Sequence, residues 1–140
     1  MLVCGPPCGG KSWLVAQHAQ PGDLVLCVDT FAREAGSDVV HNHAGRFYRA
    51  GEDRFWTEVE RVRRSRDVRA WVIRCAPTRE DRRQLAGLSR ATRTLVLAPP
   101  IRVVYRRAIA RDRPPEATLR AIESWYRRYT PGRGEQVLRH

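Results

Sequence analysis

Lysine occurs once in the 140 residues, at position 11, although lysine and arginine together number 26. Nearly all the positive charge is therefore guanidinium, and the one ammonium side chain stands in a glycine-rich stretch, Gly5-Pro6-Pro7-Cys8-Gly9-Gly10-Lys11-Ser12. Acids are also scarce: 15 of them leave a net charge of +11. Such an excess suits a polyanionic partner such as nucleic acid, although an arginine-for-lysine bias this complete also follows from GC-rich coding. No apolar run approaches the roughly 20 residues that span a bilayer, and no apolar signal region precedes the glycine stretch. The expectation is a cytoplasmic protein without membrane contact. The four cysteines have no second cluster or histidine pair to complete a zinc site. Cys4, Cys27 and Cys75 lie in or at the end of apolar runs and read as buried small side chains, whereas Cys8 lies in the loop, where a thiol can react. Repeats and low-complexity linkers are missing too. A chain of this size is most simply one domain, here residues 1–130, followed by a flexible tail at 131–140.

What is present is an alternation of apolar runs with helical patterns. Leu2-Val3-Cys4, Leu24–Val28, Trp71-Val72-Ile73 and Leu95-Val96-Leu97 read as four strands buried on both faces. Helices are expected over Lys11–His18, Phe31–Ala35, about 52–65 (Phe55, Val59 and Val62 inward), Thr78–Ser89 (Leu85 and Leu88 inward, Thr78 as N-cap) and Ile101–Ala110. A last helix carries Leu119, Ile122, Tyr126 and Tyr129 and ends before Pro131-Gly132. The class is α/β: a three-layer sandwich with a small, about four-stranded parallel sheet. Ligands in such sheets bind outside the carboxyl ends of the strands. That rule puts the glycine loop, Asp29, Cys75-Ala76 and Ala98 along one edge.

The spacing G-x-x-x-x-G-K-S between a strand and a helix is that of a P-loop, which gives a P-loop NTPase sandwich. Glycines let successive N–H groups converge on one phosphate, and the following helix adds its positive end. Lys11 then reaches the β- and γ-phosphates and Ser12 ligates Mg²⁺, so the expected cofactors are ATP and Mg²⁺. Gly5, Pro7, Cys8, Gly9, Gly10 and Trp13 complete the cofactor-binding stretch.

The next question is where the phosphoryl goes. Many ATPases end a later strand in a carboxylate that holds Mg²⁺ through water. Here the third and fourth strands end in Cys75-Ala76 and Ala98-Pro99, and only the second offers an acid, Asp29. Asp29 either accepts a proton from an attacking hydroxyl or caps the helix that follows. Residues 106–113 look like a lid: arginines, a proline-rich break, then another helix. Arg111 and Arg113 at the break, and Arg107 before it, are candidates to neutralise the transferred phosphoryl and exclude water. His41 and His43 lack a third metal ligand. They read as contacts to a substrate phosphate or base, or as a plain surface loop.

This pattern resembles the P-loop kinases of the polynucleotide kinase type, to which small bacteriophage-encoded proteins are similar. The likeness rests on residues 5–13, on Val28-Asp29, on Ala76-Pro77-Thr78-Arg79-Glu80-Asp81-Arg82-Arg83, and on 106–111 leading to 121–126. It implies a lid after the last strand, Asp29 as base toward a 5′-hydroxyl, and Lys11 with Arg111 stabilising the transferred group. It implies Arg33 on a substrate phosphate, one position later than the family places it. His43 and Arg79 are further candidate substrate contacts. The polar residue that usually ends the third strand is replaced by Cys75-Ala76. A nucleic-acid hydroxyl is the first acceptor implied. A nucleoside, nucleotide or modified DNA base, or a nucleotide-binding accessory role without transfer, are the alternatives.

Overall fold

The computed structural model describes residues 1–39, 41, 43–110 and 115–139. Five parallel strands form one sheet: β1 (Leu2–Cys4), β2 (Leu24–Leu26), β3 (Ala70–Arg74), β4 (Thr94–Leu97) and β5 (Gln136–Leu138), in the order β2-β3-β1-β4-β5. β1 is central and fully buried, as a continuous apolar run requires. The helices are α1 (Lys11–His18), α2 (Val28–Glu34), α3 (Gly45–Arg64), α4 (Arg79–Ser89), α5 (Ile101–Ile109) and α6 (Pro115–Arg128). The α/β sandwich with a parallel sheet between helices is thus present.

Strand periodicity sorts the core into two layers. Leu2, Cys4, Leu26 and Val72 face one side and pack with Phe55, Val59 and Val62 of α3 and Leu85 of α4. Val3, Trp71, Ile73 and Leu97 face the other and pack with Val15 of α1. Gly51 lets α3 press against α2: a Cβ there would lie 2.8 Å from the Val28 carbonyl oxygen. The segment that will carry Asp29 is therefore held from behind by backbone-to-backbone approach.

Several expectations change. The sheet has five strands, because residues 136–138, read as part of a flexible tail, add β5 alongside β4. Its pattern is short and half-exposed, which is why it carries little apolar signal. The second strand stops at Leu26, and Val28 and Asp29 belong to α2. α3 begins at Gly45, a full two turns before the expected start. Thr78 caps α4 as expected, in a reciprocal pair with Asp81. Leu88, however, points outward, and Arg82 takes the inner face with Leu85.

Arg82 explains the tail. Its guanidinium is fully buried and donates to both Glu135 carboxylate oxygens, each at 2.8 Å. It also donates to the carbonyls of Ala76, Pro77 and Thr130. All five donors of the fork have nearby acceptors, and the side chain joins the end of β3 to the approach to β5. Breaking such a pair from one side leaves a stranded charge, at a cost of about 3–5 kcal/mol. Arg82→Met is expected to lower unfolding free energy in urea by about that amount. Arg82→Met with Glu135→Leu should recover most of the loss, and a single variant as stable as the unaltered chain would contradict this account.

Candidate active site

The loop from Gly5 to Gly10 turns sharply because little else fits. A Cβ on Gly9 would sit 2.9 Å from the Pro6 carbonyl oxygen, and one on Gly5 2.6 Å from that of Leu97. Gly10, at φ 96°, is the left-handed N-cap of α1. Cys8 adopts φ 58° with a side chain, which costs about 1–2 kcal/mol relative to a relaxed residue. That side chain is buried against Val104, Ala108 and Ile122. The loop is thereby anchored to α5 and α6. The Cys8 thiol, expected to be open to reaction, is inside.

The first turn of α1 has no acid to neutralise its positive end. Lys11 folds back over the loop: its Nζ donates to the carbonyls of Gly5 (3.0 Å) and Pro6 (2.7 Å) and lies 3.7 Å from Cys75 Sγ. Beside it opens a cleft of about 510 Å³ that brings together Lys11, Ser12, Asp29, Arg33, His41 and Arg74. On the other side of the same loop, a hollow of about 470 Å³ is formed by Trp13, Leu14, Leu97, Arg107 and Leu138 with the loop glycines. Arg107 Nη1 reaches 3.4 Å from the Gly9 carbonyl oxygen.

Asp29 projects from the first turn of α2 into the cleft, about two-fifths exposed. His41 Nδ1 lies 2.7 Å from its Oδ2. His43 Nε2 lies 3.3 Å from its Oδ1, an ion-pair distance without hydrogen-bond alignment. His43 is itself buried, with Nδ1 2.8 Å from the Ser37 hydroxyl. His43 is thus placed behind the carboxylate, not in the cleft where a substrate would meet it. Asp29 is not the helix cap, since Cys27 occupies that position.

The remaining expected residues divide. Arg33 lines the Asp29 cleft and Arg107 touches the P-loop. Arg79 does neither: it opens α4 beside a separate hollow with Arg83, Arg93 and Arg133, and its backbone N–H donates to Thr130. Arg111 and Arg113 lie outside the described residues. Cys75, expected to be buried, is exposed at the end of β3.

Three residues escaped the sequence reading. Arg74 donates to Glu52 at 2.7 Å and stacks over Phe55, 4.8 Å from the ring centroid. Tyr48 donates to the same carboxylate at 2.8 Å. Burial and this bond to Glu52 raise the Tyr48 phenol above its ordinary value. The signal for Arg74 was available, since a charged residue at the carboxyl end of an apolar strand falls on the ligand edge. Tyr48 and Glu52 gave none, because they follow only from the longer α3.

No protein-family model matches the chain, and neither does any curated protein. Solved structures do. TT1252 of Thermus thermophilus superposes with a TM-score of 0.59 at 18% identity, over 99% of this chain and 86% of that one. A gluconokinase from Sinorhizobium meliloti gives 0.57 at 17% identity, over 99% and 79%. The shared fold is an α/β sandwich with a central parallel sheet between helices, consistent with a P-loop NTPase-like sandwich. At this identity the likeness is one of fold, and it does not single out kinases of the polynucleotide type. No described helix is long and apolar enough to cross a membrane.

The cysteines offer a chemical check on this arrangement. Burial pushes the Cys4 thiol up to about 12, so it holds almost no thiolate at neutral pH. Cys8 and Cys27 are also buried, and Cys75 alone is exposed. Iodoacetamide at neutral pH is expected to modify Cys75 first, as read by peptide mass spectrometry. Faster modification of Cys4 or Cys8 would show that the cleft is built differently.

Proposed function

We propose that the protein is a phosphotransferase that uses ATP with Mg²⁺ and passes the γ-phosphoryl to a hydroxyl of a small molecule, a nucleoside or nucleotide foremost. The observation that carries this reading is the convergence of Lys11, the glycine cup and the Asp29 carboxylate on one cleft. A cleft of about 510 Å³ is in the range of small-ligand sites. Arg33 on its wall is suited to an anionic group of the acceptor.

Two features of the cup support a triphosphate: its glycines permit a tight turn that a Cβ would block, and α1 presents uncompensated N–H groups. The hollow beyond the loop, apolar apart from Arg107 and faced by the exposed Trp13, suits the flat face of a base. Ser12 supplies a hydroxyl to Mg²⁺ in the same cleft, which fits an ion held mainly by phosphate and water. Bound there, the ion would offset phosphate charge. Lys11 would shift from the loop carbonyls to the phosphates, and Arg107 is placed to contribute from the lid side.

A second reading has its own support. The net charge of +11, with Arg79, Arg83, Arg93 and Arg133 around one surface hollow, favours a polyanion. In that case the acceptor is the 5′-hydroxyl of DNA or RNA, and binding weakens steeply with salt.

The test begins with binding. ATP with Mg²⁺ is expected to raise the melting temperature, and Lys11→Met to abolish that rise. Incubation with γ-labelled ATP and separate acceptors (ribonucleosides, nucleoside monophosphates, gluconate, 5′-hydroxyl oligonucleotides) should label one class. Asp29→Asn should reduce that transfer by a factor of 100 or more, on the order expected for loss of a positioned base, while leaving the thermal shift intact. ATP binding without transfer to any acceptor would replace the kinase reading with that of a nucleotide-binding accessory protein.

A further inference from the structure

The Asp29 carboxylate is not presented alone. Both of its oxygens face imidazole nitrogens, His41 Nδ1 at 2.7 Å and His43 Nε2 at 3.3 Å. An ionised carboxylate can only accept, so His41 Nδ1, the nitrogen hydrogen-bonded to it, carries the proton. For His41 this leaves Nε2 as the bare nitrogen. His43 is held from its other side, with Nδ1 2.8 Å from the Ser37 hydroxyl, and its Nε2 stands against Asp29 Oδ1 at ion-pair distance. The two rings differ in surroundings as well: the His43 side chain is 1% exposed, that of His41 24%. His41 lines the same cleft as Lys11 and Ser12.

We propose that the proton acceptor in this cleft is the His41–Asp29 pair, with His41 Nε2 as the base, Asp29 as the group that orients it, and buried His43 as the positioning residue that fixes Asp29. The proposal rests on the phosphotransferase reading and changes the role of Asp29 within it. A carboxylate that accepts Nδ1–H fixes both the tautomer and the plane of the ring. In the step, the acceptor hydroxyl gives its proton to His41 Nε2, and its oxygen forms a bond to the γ-phosphorus. The bond from that phosphorus to the β,γ-bridging oxygen breaks, its electron pair staying on the leaving diphosphate. Asp29 remains ionised and stabilises the imidazolium. The other charged and titratable groups on the cleft wall are Lys11 from α1, Arg33 from α2, Tyr48 from α3, and Arg74 and Cys75 from β3 and its end.

Two measurements test this. The first needs no turnover: imidazole nitrogen shifts of the labelled protein by NMR. The expected result is a His41 ring protonated at Nδ1 and bare at Nε2, and a loss of that single tautomer in Asp29→Asn. A ring bare at Nδ1, or one unaffected by Asp29→Asn, overturns the proposal. The second uses transfer from γ-labelled ATP to whichever acceptor of the panel above is phosphorylated. His41→Ala should lower the rate at least tenfold with the ATP-induced thermal shift unchanged, and added imidazole should restore part of it. Imidazole should do nothing for Asp29→Ala. His43→Gln, which keeps a donor toward Asp29, should retain more activity than His43→Ala and show no imidazole rescue.

If His41→Ala transfers as fast as the unaltered protein, the pair fails and the kinase reading stands. If the unaltered protein binds ATP but labels no acceptor, the kinase reading fails and the base role with it, whatever the tautomer.

Discussion

A guanidinium shut away from water has to find acceptors on every side, and Arg82 finds them just past β3 and in the distant segment between α6 and β5. Its partners are the two carbonyls just past β3, the carbonyl of Thr130 after α6, and the Glu135 carboxylate before β5. The turn it grips contains Ala76 at φ 26°, a conformation that a side chain adopts only under constraint. Cys75, one residue earlier, sits 3.7 Å from the Lys11 ammonium, and its carbonyl accepts the Trp125 indole N–H. The floor of the cleft, the last strand and the last helix are therefore fixed by one network. The hydroxyl of Tyr126 adds a further tie by donating to the Pro99 carbonyl at the end of β4. Hydrophobic layering builds the sheet, and these polar ties decide where its carboxyl edge lies relative to α5 and α6.

The glycine loop stands between two spaces of different character. On one side the cleft is charged, with Lys11, Arg33, Arg74 and the Asp29 group. On the other the hollow is mainly apolar, with Trp13, Leu14, Leu97 and Leu138. A nucleotide has the same division, a flat base joined to a polyanion. The loop is also held from the lid side, through the Cys8 side chain and the Arg107 contact to Gly9. Movement of α5 and α6 would therefore be felt directly in the glycine loop.

The features legible in the sequence were those with a period or a fixed spacing. Continuous apolar runs gave four strands, and G-x-x-x-x-G-K-S between strand and helix gave the loop. Thr78 as an N-cap gave a helix start. What escaped depended on contacts across the fold. Gln136–Leu138 has too few apolar residues to announce a strand, and pairing with β4 makes it one. Leu88 and Arg82 both lie on α4, and hydropathy alone sends the leucine inward. Only the distant Glu135 reverses the choice. The pair of histidines after α2 looked like a loop feature, because nothing local says that the chain returns to Asp29. Arg111 and Arg113 fall outside the described residues, so the lid is represented at the P-loop by Arg107 alone among the arginines singled out in it.

Lys11 is the sole lysine of a chain otherwise dependent on arginine for its positive charge, and its amine rests on the carbonyls of Gly5 and Pro6. Acylation of lysine side chains, by an enzyme or by a reactive thioester, therefore has one target in this sequence. Apart from the terminal amine, every amine-directed reagent becomes a reporter of the glycine loop.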